Sequence, residues 1–237
     1  MARVDAHKPE HIRLDISPSE HVTALAYRAA PRGGASVILV LAPGAGASQT
    51  SSFMVRFAAS LAARGIDTVT FNFVFMEQGR RVPDRNDKLE SCYRAVIEAV
   101  RSGRFHDDAR HRKLVIGGKS MGGRIASQVA ASGQEGIAGL VFLGYPLHPP
   151  GRPDKLRAKH LPDIRAPMLF VQGSHDAFGA PEELQAVMGE LNVAADLFVV
   201  EGGDHSFKVP KRSTVPQDQV YEFVLDEIVR WLRVKVG

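Results

Sequence analysis

The chain of 237 residues reads as a single α/β domain built on a mostly parallel sheet, and three observations predict it. Short β-branched runs alternate with stretches of helical spacing, the pattern of strands joined by crossover helices. Most of those runs are apolar throughout, as in strands covered by helices on both faces. No repeat, low-complexity tract or linker-like change of composition divides the chain, and its length suits one large doubly wound domain.

The elements follow in order. Ile12–Leu14 and Val22–Tyr27 flank a short polar turn and are expected to form an antiparallel edge hairpin. The other expected strands are Val37–Leu41, Thr68–Phe73, Leu114–Ile116, Leu140–Leu143, Met168–Val171 and Leu197–Val200. Helices are expected over Phe53–Arg64, Leu89–Ser102, Met121–Ala131, Pro181–Leu191 and Gln217–Val234. In the last of these, Val220, Phe223, Val224, Ile228, Trp231 and Leu232 recur every three or four residues. That places one stripe on the core and leaves Asp226, Glu227 and Arg230 outside.

Composition bounds the function. Hydrophobic residues make up 44% and charged residues 24%, which excludes a disordered chain. The longest apolar run, Val37 to Pro43, is about a third of a membrane-spanning helix. Asp5, His7, Lys8 and Glu10 interrupt any apolar segment at the start, so neither a signal peptide nor a membrane partner is expected. The single cysteine, Cys92, is expected to be a packing residue, as is Met76, and points to a reducing cytoplasm. The net charge of +4 is spread along the chain. Its densest basic patch, Arg101 to Lys113, is broken by Asp107 and Asp108, so no nucleic-acid partner is expected.

In open α/β sheets ligands sit beyond the carboxyl ends of the strands. After Leu114–Ile116 comes Gly117-Gly118-Lys119-Ser120-Met121-Gly122-Gly123 and then a helix, the setting of a G-x-S-x-G nucleophile elbow. Such a turn holds its serine in a strained conformation, and glycines let strand and helix pass closely. A phosphate-binding P-loop would need glycine where this chain has Lys113. A serine hydroxyl needs a neutral imidazole as base, and the imidazole needs a carboxylate to fix its tautomer. Two later strands end in Gly173-Ser174-His175-Asp176 and Gly202-Gly203-Asp204-His205. They offer Asp176 as the acid and His205 as the base, in the chain order Ser, acid, His. Asp176 can alternatively cap the helix at Pro181, from rather far ahead of it. Asp204 is the weaker acid candidate, because it cannot easily curl back onto its neighbour's ring, and His175 is a bystander. The remaining histidines, His106 and His111 among them, show no metal-ligand spacing, so neither metal nor cofactor is expected.

The oxyanion of the tetrahedral intermediate needs two aimed N–H donors. Met121, the residue after the serine, supplies one; Ala45, in the loop Ala42-Pro43-Gly44-Ala45-Gly46-Ala47, is expected to supply the other. A dinucleotide fingerprint starting at Gly44-x-Gly46 fails, because Gln49 stands at its third position and Asn72 ends the next strand. Arg80 and Arg81 either bind a substrate carboxylate or phosphate, or brace their loop through Glu77, Asp84 or Asp87. Tyr145 and His148 either line the mouth or pack within their loop. The gap from Leu143 to Met168 is too short for a helical lid.

Over nearly its full length the chain resembles an α/β-hydrolase. More narrowly, it is similar to the lidless dienelactone-hydrolase-like family, which includes a testis-expressed hydrolase-like protein and the third subunit of the NSL chromatin complex. Four segments carry the resemblance: Gly118-Lys119-Ser120-Met121-Gly122-Gly123-Arg124; Phe71-Asn72-Phe73 through Gly79-Arg80-Arg81-x-Pro83-Asp84; Gly144-Tyr145-Pro146-Leu147-His148-Pro149-Pro150-Gly151; and Gly203-Asp204-His205-Ser206-Phe207. The resemblance implies a single-domain α/β-hydrolase fold over 1–237, helices on both faces, no lid domain, and Ser120, Asp176 and His205 as the triad. Many relatives carry His-Gly where this chain has Pro43-Gly44, a change that spares a backbone donor at Ala45 but not a side-chain one. The function expected is a cytoplasmic serine hydrolase cleaving a small-molecule ester, thioester or lactone. A binding or scaffold module with an unused triad, and an acyltransferase, are the alternatives. Activity is expected to fall as pH drops through about 6–7, where an ordinary imidazole protonates.

Overall fold

The structure is a computed structural model describing residues 8–29, 37–105 and 111–237. Its frame is an eight-stranded sheet. The strands are β1 (Glu10–Ser17), β2 (Glu20–Tyr27), β3 (Val37–Ala42), β4 (Asp67–Phe71), β5 (Lys113–Lys119), β6 (Ile137–Leu143), β7 (Met168–Gly173) and β8 (Ala195–Val200). They run in the order β1-β2-β4-β3-β5-β6-β7-β8. The hairpin β1–β2 joins the sheet antiparallel at β4, and the pairings from β4 through β3 to β8 are all parallel.

Strand β3 shows why these runs are apolar throughout. Ile38 and Val40 point into one core with Tyr93, Val96, Ile97, Ile125 and Phe142. Val37, Leu39 and Leu41 point into the other, with Phe57, Leu61, Val224, Ile228 and Trp231. Successive side chains face opposite sides, so every position of a central strand is covered. Helices α3 (Asn86–Arg101) and α4 (Met121–Ala131) cover the first face, and α1 (Ser52–Ala63) and α6 (Gln217–Trp231) the second.

Several boundaries differ from the sequence expectation. β4 stops at Phe71, before Asn72 and Phe73. The Asn72 side chain instead accepts the Gln49 N–H at 2.9 Å and donates to Glu77 at 3.0 Å, tying the next turn, α2 (Val74–Glu77), to the loop after β3. α5 (Pro181–Met188) ends at Gly189 instead of reaching Leu191. α6 gives way at Leu232 to a π-helical turn, Leu232–Val236, which buries Leu232 and Val236. β8 is an edge strand, half-buried over most of its length. Between β6 and β7, residues 144–167 hold turns and one short 3-10 segment, Leu161–Asp163, and no lid. Of the basic stretch Arg101 to Lys113, residues 106–110, with His106, Asp107 and Asp108, lie outside the described residues. Among the described residues no helix is long and apolar enough to cross a membrane.

Candidate active site

The site forms where β5 passes into α4. Ser120, between them, has φ 51° and ψ −118°, a conformation costing a non-glycine residue roughly 1–3 kcal/mol. It persists because both sides are pinned: Ser120 N donates to Leu143 O at 3.1 Å, and Arg124 N donates to Ser120 O at 3.1 Å. Gly122 allows the close crossing of α4 over β3. A Cβ there would fall on the Ala42 carbonyl oxygen and lie 2.6 Å from that of Pro43.

Three strand ends then converge. His205 Nε2 lies 2.8 Å from Ser120 Oγ, and His205 Nδ1 lies 2.7 Å from Asp176 Oδ2. Asp176 is fully buried, where a bare carboxylate would be costly, and two further donors satisfy it. Phe178 N–H donates to Oδ1 at 2.9 Å and Gln172 Nε2 to Oδ2 at 2.8 Å. The Phe178 ring lies over the imidazole, centroids 4.2 Å apart. Asp204 turns away from the ring: its Oδ1 accepts the N–H groups of Ser206 and Lys208 at 2.7 and 2.9 Å and braces the turn. With Nδ1–H held by Asp176, Nε2 is free to accept the serine proton.

Ser120 opens into a cavity of about 530 Å³, whose wall includes Ala45, Met121, Phe53, Phe178 and His205. Met121 is the first residue of α4, where an N–H has no intrahelical partner. The Ala45 loop abuts the serine closely enough that a Cβ on Gly44 would lie 3.5 Å from Ser120 Cβ.

A family model described as the alpha/beta hydrolase domain matches residues 35–233. The chain belongs to that family. Among solved structures, this hydrolase is similar to an alpha-beta serine hydrolase homologue from Coxiella burnetii, at 20% identity and TM-score 0.74 over 95% of this chain and 98% of the other. Dienelactone hydrolase from Anabaena variabilis matches at 20% identity and TM-score 0.73, over 98% of this chain and 100% of the other. A lidless serine hydrolase from Xanthomonas campestris matches at 20% identity and TM-score 0.69, over 97% and 94%. At these identities the likeness is one of fold.

In this hydrolase Arg80, Arg81, Tyr145 and His148 lie apart from the cavity wall. Arg80 donates to Asp84 at 2.6 Å and to Gln78 at 2.9 Å, bracing its own loop, and Arg81 is exposed. Tyr145 is fully buried, with its hydroxyl on the Arg157 carbonyl at 2.9 Å. His148 is held between the Pro149 carbonyl at 2.8 Å and Glu183 at 3.2 Å. Arg80, Tyr145 and His148 are held by partners in their own loops or on α5, whereas Arg81 points into solvent away from the cavity. Cys92 is buried and its thiol is pushed up to about 12 by burial, which leaves it inert at neutral pH. Among the described residues no cluster of His, Cys, Asp or Glu is arranged to hold a metal.

Sequence reasoning missed Gln172 and Lys119. Gln172, a lone polar residue in the apolar run of β7, is fully buried and also accepts Tyr145 N–H at 2.8 Å and donates to Gly179 O at 2.9 Å. Its polarity in a buried strand was the available signal. Lys119 carries its ammonium inward, where Nζ donates to the His205 carbonyl at 2.6 Å and fastens the histidine loop. Burial pushes this ammonium down to about 8, against the opposing pull of Asp176 and Asp204.

An unfolded lysine keeps its proton to about pH 10.4, so between about pH 8 and pH 10 the unfolded chain binds more protons at this site and stability rises with pH. Lys119→Met is expected to remove that rise. Urea midpoints at about pH 7 and about pH 9.5 should show the variant losing ground to wild type as pH increases; a pH-independent difference would contradict it.

Proposed function

We propose that the chain is a serine hydrolase of small carboxylic esters, thioesters or lactones, with Ser120 as nucleophile, His205 as general base and acid, and Asp176 orienting the imidazole. The observation that carries this reading is the unbroken hydrogen-bonded chain from Ser120 Oγ through His205 to the buried Asp176, opening into a cavity. Within the α/β-hydrolases the reading is dienelactone-hydrolase-like, in the subfamily of the testis-expressed protein and the third NSL subunit. The short 144–167 segment supports it, as does the likeness to a dienelactone hydrolase and a lidless serine hydrolase. A cytoplasmic setting, with a small-molecule substrate and neither nucleic acid nor membrane as partner, belongs to the same reading; a single buried thiol supports the compartment.

The reaction follows from the atoms in place. Ser120 Oγ attacks the substrate carbonyl carbon while His205 Nε2 takes the hydroxyl proton. The oxyanion accepts hydrogen bonds from the Met121 and Ala45 N–H groups. Collapse breaks the bond to the leaving oxygen or sulfur, which departs with the proton from Nε2 and leaves an acyl-serine. His205 then deprotonates a water, which attacks the acyl carbon; the second collapse returns the proton to Ser120 Oγ and releases the acid.

Hydrolysis of a small activated ester such as 4-nitrophenyl acetate tests the reading. Ser120→Ala is expected to lower kcat by about 10³-fold or more. A folded Ser120→Ala protein that hydrolyses the ester as fast as wild type would overturn the assignment.

A further inference from the structure

We propose that Arg124 and Arg157 form an anion subsite in the cavity beside Ser120, so that the substrate carries, besides its scissile bond, an oxyanionic group, a carboxylate or a phosphate. The choice of substrate rests on the hydrolase reading above; the subsite rests on charge and placement.

Both arginines line the cavity and both are half-buried. Arg124 donates to amide oxygens alone among the described residues, Gln128 Oε1 at 3.3 Å and Asn86 Oδ1 at 3.4 Å, long and neutral contacts for a guanidinium. The main chain of Arg157 is fixed, its N–H on Leu147 O at 2.7 Å and its carbonyl under the Tyr145 hydroxyl at 2.9 Å. Neither guanidinium has a carboxylate within 4.0 Å among the described residues. The acids nearby face other cations, Asp84 through Oδ1 while its buried Oδ2 has no hydrogen-bond partner among the described residues. Asp84, on the cavity wall, takes Arg80 at 2.6 Å and lies 4.0 Å from Lys88. Glu90, whose charge reaches Arg124, sits 3.6 Å from Arg94.

The two cations also burden each other. Burial first, and then the charge of Arg157, hold the Arg124 guanidinium below its ordinary value. Arg124 likewise helps burial push His160 down to about 4, so that this ring is neutral where it meets Ser127 Oγ at 2.7 Å. Like charges set together in a partly desolvated wall are unfavourable until an anion lies between them. Two guanidinium forks suit the planar oxygens of a carboxylate or the tetrahedral oxygens of a phosphate. Arg124 is one helical turn beyond Ser120 on α4. An anion held there is about 6–10 Å from the acyl carbon, the span of a short dicarboxylic half-ester.

Two measurements test the subsite independently of turnover and through it. Ser120→Ala protein is titrated calorimetrically with glutarate and, separately, with inorganic phosphate. The expected result is saturable binding of at least one, weakened about tenfold or more by adding Arg124→Met or Arg157→Met and unchanged by Arg81→Met; the tighter probe identifies the anion. Arg124→Lys and Arg157→Lys keep the charge without the fork and serve if a methionine variant unfolds. Binding of neither probe, or binding indifferent to both arginines, overturns the proposal. In the serine-containing enzyme, kcat/KM for monomethyl over dimethyl glutarate is expected to fall about tenfold or more in either arginine variant. Hydrolysis of both esters without arginine-dependent preference overturns the subsite and leaves the hydrolase standing. Arginine-dependent binding with hydrolysis of neither supports the subsite and counts against the hydrolase.

Discussion

Asp176→Asn is expected to lower kcat by about 10³–10⁴-fold with little loss of folding. Both carboxylate oxygens are acceptors here: Oδ1 takes the Phe178 N–H at 2.9 Å, and Oδ2 takes Gln172 Nε2 at 2.8 Å besides His205 Nδ1 at 2.7 Å. An asparagine presents one oxygen and one NH₂. With its oxygen toward Phe178, the NH₂ faces Gln172 and His205, and the imidazole must place its proton on Nε2 to accept it. A histidine in that tautomer cannot take the serine proton. Rotating Gln172 to help would forfeit its bonds to Tyr145 and Gly179. Steady-state kinetics on a small ester, with far-ultraviolet circular dichroism to verify the fold, checks the prediction; a loss under about tenfold would mean that Asp176 does not set the tautomer.

Gly122→Ala is expected to cost about 3 kcal/mol or more of stability. The added Cβ meets backbone, the Ala42 carbonyl oxygen and that of Pro43 at 2.6 Å, and backbone cannot swing aside as a side chain can. Relief requires moving the start of α4 or the loop after β3, and those two segments carry Met121 and Ala45. Activity should therefore fall further than the folded fraction does. Gly189→Ala is the contrast. Its Cβ would meet the Ala186 carbonyl oxygen at 3.5 Å, its backbone is already helical, and the change is expected to be neutral or slightly stabilising. Urea midpoints for the two variants separate the cases, and a Gly122→Ala protein as stable as wild type would show that the crossing is looser than the contacts imply.

Much of this was legible in the sequence. The central strands announce themselves as continuous apolar runs because both faces are covered, and Ser120, Asp176 and His205 each follow a strand, where open α/β sheets place their chemistry. β8 was harder to place, since an apolar run such as Leu197–Val200 does not reveal that it will lie at the sheet's edge. Cations posed the same difficulty. Arg80 and Arg81 follow a strand on the functional side, yet Arg80 is taken by Asp84 four residues on, while Arg124 and Arg157 come to line one cavity only when α4 and the 144–167 segment are folded against each other. Gln172 and Lys119 belong to the same class, because their roles depend on partners brought in by β7 and by the histidine loop.

The most direct test of the central claim is active-site labelling with a fluorophosphonate, read by intact mass and by mapping of the modified peptide. His205 Nε2, 2.8 Å from Ser120 Oγ, should make that hydroxyl uniquely reactive, giving one adduct per chain on Ser120 in wild type and none in Ser120→Ala. A correctly folded wild-type protein that remains unlabelled, or that carries the adduct elsewhere, would contradict the account and favour a hydrolase fold used for binding.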